Sequence, residues 1–200
     1  MKKTILDGNW KLLALSPEKN NYGIIDGSTF DISMPTSVQD ALIEALVVPD
    51  PYYAENELEL AFIGKSNWSI SRSFDFKVSC GHHYVLRLEK VDTIADLFLN
   101  GKKVASFDNE HRIYELDITS YLVTGQNDIE FVFTSSETIA NKRALSLNHA
   151  APCSRYKYDS PNRNLVRKAQ CNAAWDWGLC LLTMGIYESI CIYECSSLYV

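Results

Sequence analysis

Most of the chain shows the alternation of apolar and polar residues that is typical of short β-strands. The run NDIEFVFTS places Ile129, Phe131 and Phe133 on one face. The runs NWSISRSFDFKV at 67–78 and HHYVLRLEKV at 82–91 follow the same period of two. Because successive side chains on a strand point to opposite faces, each run predicts a strand with one buried face.

A tight hairpin is predicted inside TIADLFLNGKKVAS. The dipeptide Asn100-Gly101 separates two strand-like runs there. A two-residue type I′ turn needs positive φ at both central positions, which Asn and Gly tolerate best. We therefore expect two antiparallel strands joined at this dipeptide.

The sequence predicts one short helix, in SVQDALIEAL. Ser37 stands at the N-cap position and Asp40 follows three residues later, as in a capping box. The apolar residues after the cap follow the i, i+3, i+4, i+7 stripe of a helix that covers a core; they are Val38, Ala41, Leu42, Ala45 and Leu46. The next stretch, VPDPYYAENE, is interrupted by prolines and is predicted to be a loop.

The strand signal fades between about 136 and 165, where we expect a long loop. It resumes at LVRKAQC, residues 165–171, and at GIYESICIYE, residues 185–194. About ten short strands with one short helix predict an all-β fold, a jelly-roll β-sandwich. The composition is that of an ordinary globular chain, so residues 1–200 are interpreted as a single domain.

Charge and composition narrow the class of partner. The chain carries a formal net charge of −6 and has no Lys/Arg-rich block, which argues against nucleic acid. Its most apolar late stretch contains Gly185 and Glu188 and is too short to span a bilayer. Polar residues interrupt the N-terminal stretch, so we predict no signal peptide and a cytoplasmic location.

Metal and disulfide chemistry are not predicted. The six cysteines include no C-x-x-C pair, and the four histidines lie elsewhere in the sequence. His82 and His83 are adjacent on a predicted strand and point to opposite faces, so they cannot share a metal easily. In a reducing compartment we expect the cysteines to be free thiols buried as small apolar residues; the even count leaves a disulfide alternative open.

One short segment has an unusual composition. The sequence CNAAWDWGLC, residues 171–180, places Trp175, Asp176 and Trp177 next to one another, with half of the chain's tryptophan in three positions. On a regular strand the two indoles would share one face and the carboxylate would point away. From the residues alone two interpretations stay open: both tryptophans pack in the core while Asp176 caps a turn, or the segment bends at Gly178 and holds a ligand.

The chain resembles the N-terminal sugar-binding domain of glycoside hydrolase family 2, which has a galactose-binding-like jelly roll. The resemblance runs from LDGNWKL through VDTIADLFLNGKKV to TMGIYESICI and covers essentially the whole chain. Two narrower motifs, DPYY…NE and RKAQC…WDWG, are similar to those of the β-mannosidases. The proline that usually follows WDWG is replaced by Leu179, which bears on the loop shape.

The resemblance implies a role for each residue of the motif. Asp176 would accept hydrogen bonds from sugar hydroxyls, and Trp177 would pack on a mannose ring. Trp175 would support that indole, and Arg167 could orient Asp176 through a bidentate pair or remain a surface charge. The implied ligand is a mannoside or another oligosaccharide, and the implied partner is a catalytic (β/α)₈ barrel that is absent from this chain.

The resemblance also implies that the chain contains no catalytic residue. Both carboxyl groups of these retaining enzymes belong to the barrel. The pair Asn56-Glu57 is similar to the dipeptide that carries the acid/base, but it falls in the loop motif and is rejected for that role. We therefore expect an excised domain or a truncated gene product that is inactive alone and needs no metal or organic cofactor.

Two alternatives remain at this stage. The first is a β-galactosidase or β-glucuronidase of the same family, against which WDWG argues. The second is a free carbohydrate-binding or purely structural module. A lectin should bind sugar with this chain alone, whereas a scaffold domain should not, because part of its pocket would be missing.

Overall fold

The structure, a computed structural model, describes residues 2–152, 160–173 and 178–196. Its strands are β1 Lys2–Ile5, β2 Gly8–Leu15, β3 Thr29–Met34, β4 Thr36–Ser37, β5 Asn67–Phe76, β6 His83–Glu89, β7 Val91–Asp92, β8 Ala95–Leu99, β9 Lys102–Phe107, β10 Ile113–Asp117, β11 Gly125–Phe133, β12 Gly185–Ile186 and β13 Cys191–Cys195. Its α-helices are α1 Val38–Glu44, α2 Asn56–Lys65 and α3 Ser136–Leu145, and two 3₁₀ turns span Arg163–Leu165 and Gln170–Asn172.

The strands form three antiparallel sheets. The largest has the order β3-β2-β5-β11-β8-β9, and the second has the order β1-β13-β6-β10. A small third sheet, β4-β12-β7, lies beside α1 and joins three segments that are far apart in the sequence. Strands next to each other in a sheet are mostly distant along the chain, as expected for a jelly-roll sandwich.

The core lies between the two larger sheets. Trp10 and Phe131 of the six-stranded sheet belong to the same apolar cluster as Tyr84 and Leu86 of the four-stranded sheet. Tyr84 meets Phe76 edge to face across the two sheets, with ring centroids 5.2 Å apart. Burial of these large apolar side chains between the sheets stabilises the sandwich.

The patterned strand predictions are confirmed. The three alternating runs form β5, β6 and β11, and β11 pairs along its whole length with β5. The predicted hairpin joins β8 to β9, and Asn100 and Gly101 have φ values of 51° and 73°. Ser37 caps α1 by accepting a hydrogen bond from the backbone N–H of Asp40. The all-β jelly-roll class is therefore correct.

The prediction of a single helix is wrong. In α2, Leu58, Leu60 and Phe62 alternate with a period of two, so the sequence hides the helical stripe. In α3 only Ser136 and Ala140 are buried, so a mostly polar helix gives no apolar stripe at all. It is fixed instead by its Ser135 cap and by contacts with the following segment.

Two further expectations are corrected. Residues 165–171 form the end of one 3₁₀ turn, a single bridge residue and the start of another turn, not a strand. Of the five cysteines that the structure describes, all are free thiols, but Cys80 and Cys171 are exposed. These two cysteines lie in turns at the surface, away from the apolar core.

Candidate functional site

The central residues of the predicted site, Trp175, Asp176 and Trp177, lie outside the described residues. Their predicted roles therefore stay predictions. The structure does describe what surrounds them, namely residues 166–173 before the segment and 178–187 after it. We call these two stretches the platform.

Arg167, the fourth predicted site residue, has an exposed side chain. Its backbone forms an isolated parallel bridge with Asn109, and its carbonyl oxygen accepts the N–H of Glu110 at 2.9 Å. The predicted pairing of Arg167 with Asp176 involves a residue outside the described part and stays a prediction. It is the next residue, Lys168, that enters the interior.

A buried carboxylate lies beneath the platform. Asp92, at the end of β7, is fully buried, and its Oδ2 accepts three hydrogen bonds. The donors are Lys168 Nζ, Thr183 Oγ1 and Tyr187 Oη, each at 2.9 Å. Thr93 donates to the other carboxylate oxygen. Ionised carboxylates accept several donors at once, which offsets part of the cost of burying the charge.

The counter-charge is buried as deeply. The Lys168 side chain is only 2% exposed where it pairs with Asp92. Burial and then the negative charge of Asp92 raise the pKa of Tyr187 far above its usual value. Tyr187 therefore keeps its proton and stays a hydrogen-bond donor across the physiological range.

The two stretches of the platform are tied to each other. Ala173 and Cys180 form an antiparallel bridge, and Leu182 N–H donates to Asn172 O at 3.3 Å. The Asn172 side-chain amide donates to Thr183 Oγ1 at 2.7 Å. The two described stretches therefore lie next to each other, and Thr183 connects them to Asp92.

Helix α1 and helix α2 hold the outgoing stretch from the other side. The buried Gln39 amide donates to the Leu181 and Leu182 carbonyls, and its oxygen accepts the N–H of Met184. Glu57 Oε1 accepts the N–H of Cys180 at 2.6 Å. Polar side chains thus satisfy a backbone that belongs to no regular sheet here.

Close packing adds to these hydrogen bonds. Gly64 of α2 lies so near the platform that a Cβ there would come within 2.4 Å of the Leu181 carbonyl oxygen. Burial raises the pKa of the neighbouring Cys180 thiol, so this thiol stays neutral. Asn56-Glu57, rejected as a catalytic pair on sequence grounds, begins this helix, and Glu57 acts as a backbone anchor.

A cavity of about 270 Å³ opens beside the platform. Its described lining comes from α1, the Pro51-Tyr52 turn and both platform stretches, including Asn172, Gly178 and Thr183. Tyr52 and Tyr53 are 78% and 74% exposed, so the predicted loop presents both aromatic rings to solvent. An exposed aromatic turn beside a cavity lined by both apolar and polar side chains suits a ligand or a second protein surface.

The described lining does not contain the chemistry of a glycosidase. Asp40 is the one carboxylate among the described lining residues, and its Oδ2 accepts the hydroxyl of Ser37. A retaining mechanism needs two carboxyl groups facing each other. Within residues 2–152, 160–173 and 178–196, no cluster of three His, Cys, Asp or Glu residues could hold a metal. Across these residues, no helix is long and apolar enough to cross a membrane.

A family comparison decides what kind of domain this is. The model of the glycosyl hydrolase 2 galactose-binding domain-like family matches residues 10–188. The chain belongs to this family. The matched range contains all strands from β3 to β12, most of β2 and both stretches of the platform, whereas β1 and β13 lie outside it.

Curated relatives of the domain are named as β-mannosidases. A probable β-mannosidase of Caenorhabditis elegans is 32% identical over 197 residues, covering 94% of this chain and 21% of the relative. The β-mannosidase of Capra hircus is also 32% identical, over 92% of this chain and 21% of its own length. The chain therefore spans about a fifth of the length of the curated relatives it matches.

Solved structures agree with this assignment. The β-D-mannosidase from Dictyoglomus thermophilum superposes with a TM-score of 0.85 at 29% identity, covering 96% of this chain and 22% of that one. The agreement extends over almost all of the galactose-binding-like domain. It confirms the resemblance that the sequence motifs carried.

Sequence reasoning missed most of the residues that build the platform. Asp92 lies in KVDTIADLFL, where a carboxylate inside an apolar strand-like run is a detectable sign of a buried polar site. Thr183, Tyr187 and Gln39 gave no such sign, because their contacts join segments that are more than 90 residues apart.

Proposed function

We propose that this galactose-binding-like domain is part of an exo-acting β-mannosidase and supplies one wall of its sugar pocket. The parent protein would release terminal β-linked mannose with retention of configuration. It would act in the cytoplasm on mannosides or mannose-containing oligosaccharides. The partner of this domain would be the catalytic barrel of the same protein.

The observation that carries the proposal is the WDWG motif together with the platform that flanks it in the sequence. The motif resembles one of the β-mannosidases, and the described residues on either side are fixed by polar side-chain contacts rather than by a regular sheet. Similarity over more than nine-tenths of the chain to proteins named β-mannosidase supports the choice of sugar.

The chemistry of sugar recognition fits the residues of the motif. An indole face packs against sugar C–H groups, and a carboxylate accepts two hydroxyl groups with charge assistance. We therefore propose Asp176 and Trp177 as sugar contacts, Trp175 as their support and Arg167 as a residue that orients Asp176. None of them is proposed as an acid, base or nucleophile.

The catalytic step is assigned to the part of the relatives that this chain does not match. Two carboxyl groups about 5–5.5 Å apart carry out retaining hydrolysis without a metal or an organic cofactor. A (β/α)₈ barrel that holds them takes roughly 250 residues. The relatives are long enough to contain such a barrel, since this chain covers 21% of their length.

The experiment compares two proteins on one panel of substrates. The 200-residue chain and the longest in-frame product that contains it are assayed with 4-nitrophenyl β-D-mannoside, galactoside, glucuronide and glucosaminide. We expect hydrolysis by the longer product only, with the mannoside preferred. Preference for another glycoside would replace the mannosidase proposal by another member of the family, and binding of mannose by the short chain alone would favour a lectin.

A further inference from the structure

The ion pair Lys168–Asp92 is fully buried, which is unusual in a domain of this size. The desolvation of two charges is unfavourable, and such pairs often stabilise a fold no better than apolar residues would. The pair joins, however, the two stretches of the platform, because Asp92 also accepts the hydroxyl of Thr183. Its position suggests that it determines geometry rather than stability.

We propose that Asp92 is a positioning residue for the cavity beside the platform, acting through Lys168 and Thr183 on both stretches of the platform. This inference rests on the proposed function for its meaning in catalysis. Lys168 belongs to the incoming stretch of the platform and Thr183 to the outgoing one, and both donate to the same Asp92 oxygen. One carboxylate therefore fixes the distance between the two stretches.

Thr183 also connects Asp92 to Asn172 of the incoming stretch. Its hydroxyl donates to Asp92 Oδ2 and accepts the Asn172 amide at 2.7 Å and Lys168 Nζ at 3.4 Å. A hydroxyl has one donor and two acceptor positions, so all of its hydrogen-bonding capacity is used. Valine has nearly the same shape but could make none of these contacts, whereas serine could make all three.

The accessibility of the residues separates positioning from direct contact. Asp92 is fully buried and is not among the residues that line the cavity, so a sugar cannot reach it there. Thr183 and Asn172 do line the cavity. Asp92 therefore acts on the site through the residues it holds, not on the substrate.

The obvious variant is a poor test. Asp92→Ala would leave the Lys168 ammonium buried and unpaired, which is expected to unfold the chain whatever the carboxylate does for the site. The matched pair Thr183→Val and Thr183→Ser is informative because neither leaves a buried charge alone. Ile129→Val, in the core of β11, serves as a control for simple loss of global stability.

The first measurement is amide hydrogen exchange on the 200-residue chain. In Thr183→Val we expect exchange at Leu182 and Cys180 to rise about tenfold. The platform loses the hydrogen bonds of the Thr183 hydroxyl and therefore opens locally more often. Thr183→Ser should exchange like the wild type, and the β5 and β11 amides should be unchanged in both variants. Equal acceleration at the platform and in β11, as expected for Ile129→Val, would show a merely structural role, and unchanged exchange at the platform would also overturn the proposal.

The second measurement tests whether the position of the platform affects the reaction. In the longer in-frame product, Thr183→Val should lower kcat/KM for 4-nitrophenyl β-D-mannoside by about tenfold to 100-fold, as small displacements of binding groups do. Thr183→Ser should restore it. Normal kcat/KM in Thr183→Val would contradict the proposal. If the wild type hydrolyses no mannoside, the proposed function fails, and hydrogen exchange alone decides whether Asp92 positions the platform.

Discussion

The strand pair β5–β11 and the platform satisfy the hydrogen-bonding groups of their backbones in opposite ways. In the strand pair, nine consecutive residue pairs from Gly125↔Phe76 to Phe133↔Trp68 satisfy the backbone with the backbone. In the platform, side chains of Gln39, Glu57 and Glu110 hold the backbone instead. The first arrangement tolerates many sequences that keep the alternation, whereas the second needs particular residues at particular places.

This difference matters for function. A regular sheet presents side chains at fixed intervals and leaves little freedom to bring an indole and a carboxylate to the same point. A stretch outside the sheets has that freedom but lacks a ladder to keep its shape. The buried polar contacts beneath the platform hold its two described stretches in place. Variants that affect one region and not the other test this division.

The largest effect is expected in the strand pair. Phe131→Ala removes a fully buried ring that packs against Trp10 and Phe107, so the free energy of unfolding should fall by about 3–5 kcal/mol. Urea denaturation of the 200-residue chain measures it. Phe131→Leu, which keeps most of the volume, should lose clearly less. A loss below about 1 kcal/mol would mean that the sandwich core is not the main source of stability.

Gly64→Ala tests the contact between α2 and the platform. The new methyl group would overlap the Leu181 carbonyl, so we expect a loss of up to about 3 kcal/mol despite the better helix propensity of alanine. Hydrogen exchange should rise first at the platform. The exposed Lys65→Ala in the same helix is the control, and equal stability of both variants would contradict the close packing.

Tyr187→Phe tests the buried cluster through its pH dependence. At pH 7 the loss of the donor to Asp92 should cost about 1.5 kcal/mol. Because the folded-state pKa of Tyr187 is raised, the wild type should lose stability as the pH rises above about 10, where the unfolded tyrosine starts to release its proton.

The variant therefore should lose less stability than the wild type between neutral and strongly alkaline pH. Unfolding by urea at several pH values gives both profiles. The exposed Tyr53→Phe should leave the profile as it is in the wild type. Parallel profiles for the wild type and Tyr187→Phe would contradict the burial of this hydroxyl.

The smallest effect is expected on the solvent face of the large sheet. Lys11 and Asp31 pair at 2.8 Å between β2 and β3, but both side chains are largely exposed. Exposed pairs of this kind contribute little, so Lys11→Ala should leave the denaturation curve unchanged. A clear destabilisation would show that polar contacts outside the platform also determine the fold.

The parts of the fold that the sequence revealed are those with local rules. The strands β5, β6 and β11 alternate with a period of two, and Asn100-Gly101 can adopt the turn that joins β8 to β9. Helix α3 could not be found in this way, because six of its ten residues are polar and it is stabilised by Arg143 donating to the Leu165 carbonyl. Its stability comes from a contact that local patterns do not contain.

The site divides in the same manner. The WDWG segment was visible from composition and from resemblance, since two tryptophans around one carboxylate are rare in any element. Its support was not visible: Asp92 and Thr183 are 91 residues apart in the sequence. Lys168 is buried while its neighbour Arg167 is exposed, and only the register of the folded chain distinguishes them.

The most direct test of the account is the effect of Asp176→Asn on the longer in-frame product. The substitution keeps the size of the side chain and removes its charge. If Asp176 accepts hydroxyl groups of the sugar, kcat/KM for 4-nitrophenyl β-D-mannoside should fall by about 100-fold or more, with the stability of the 200-residue chain unchanged. An unchanged kcat/KM would contradict the claim that this domain forms a wall of the sugar pocket.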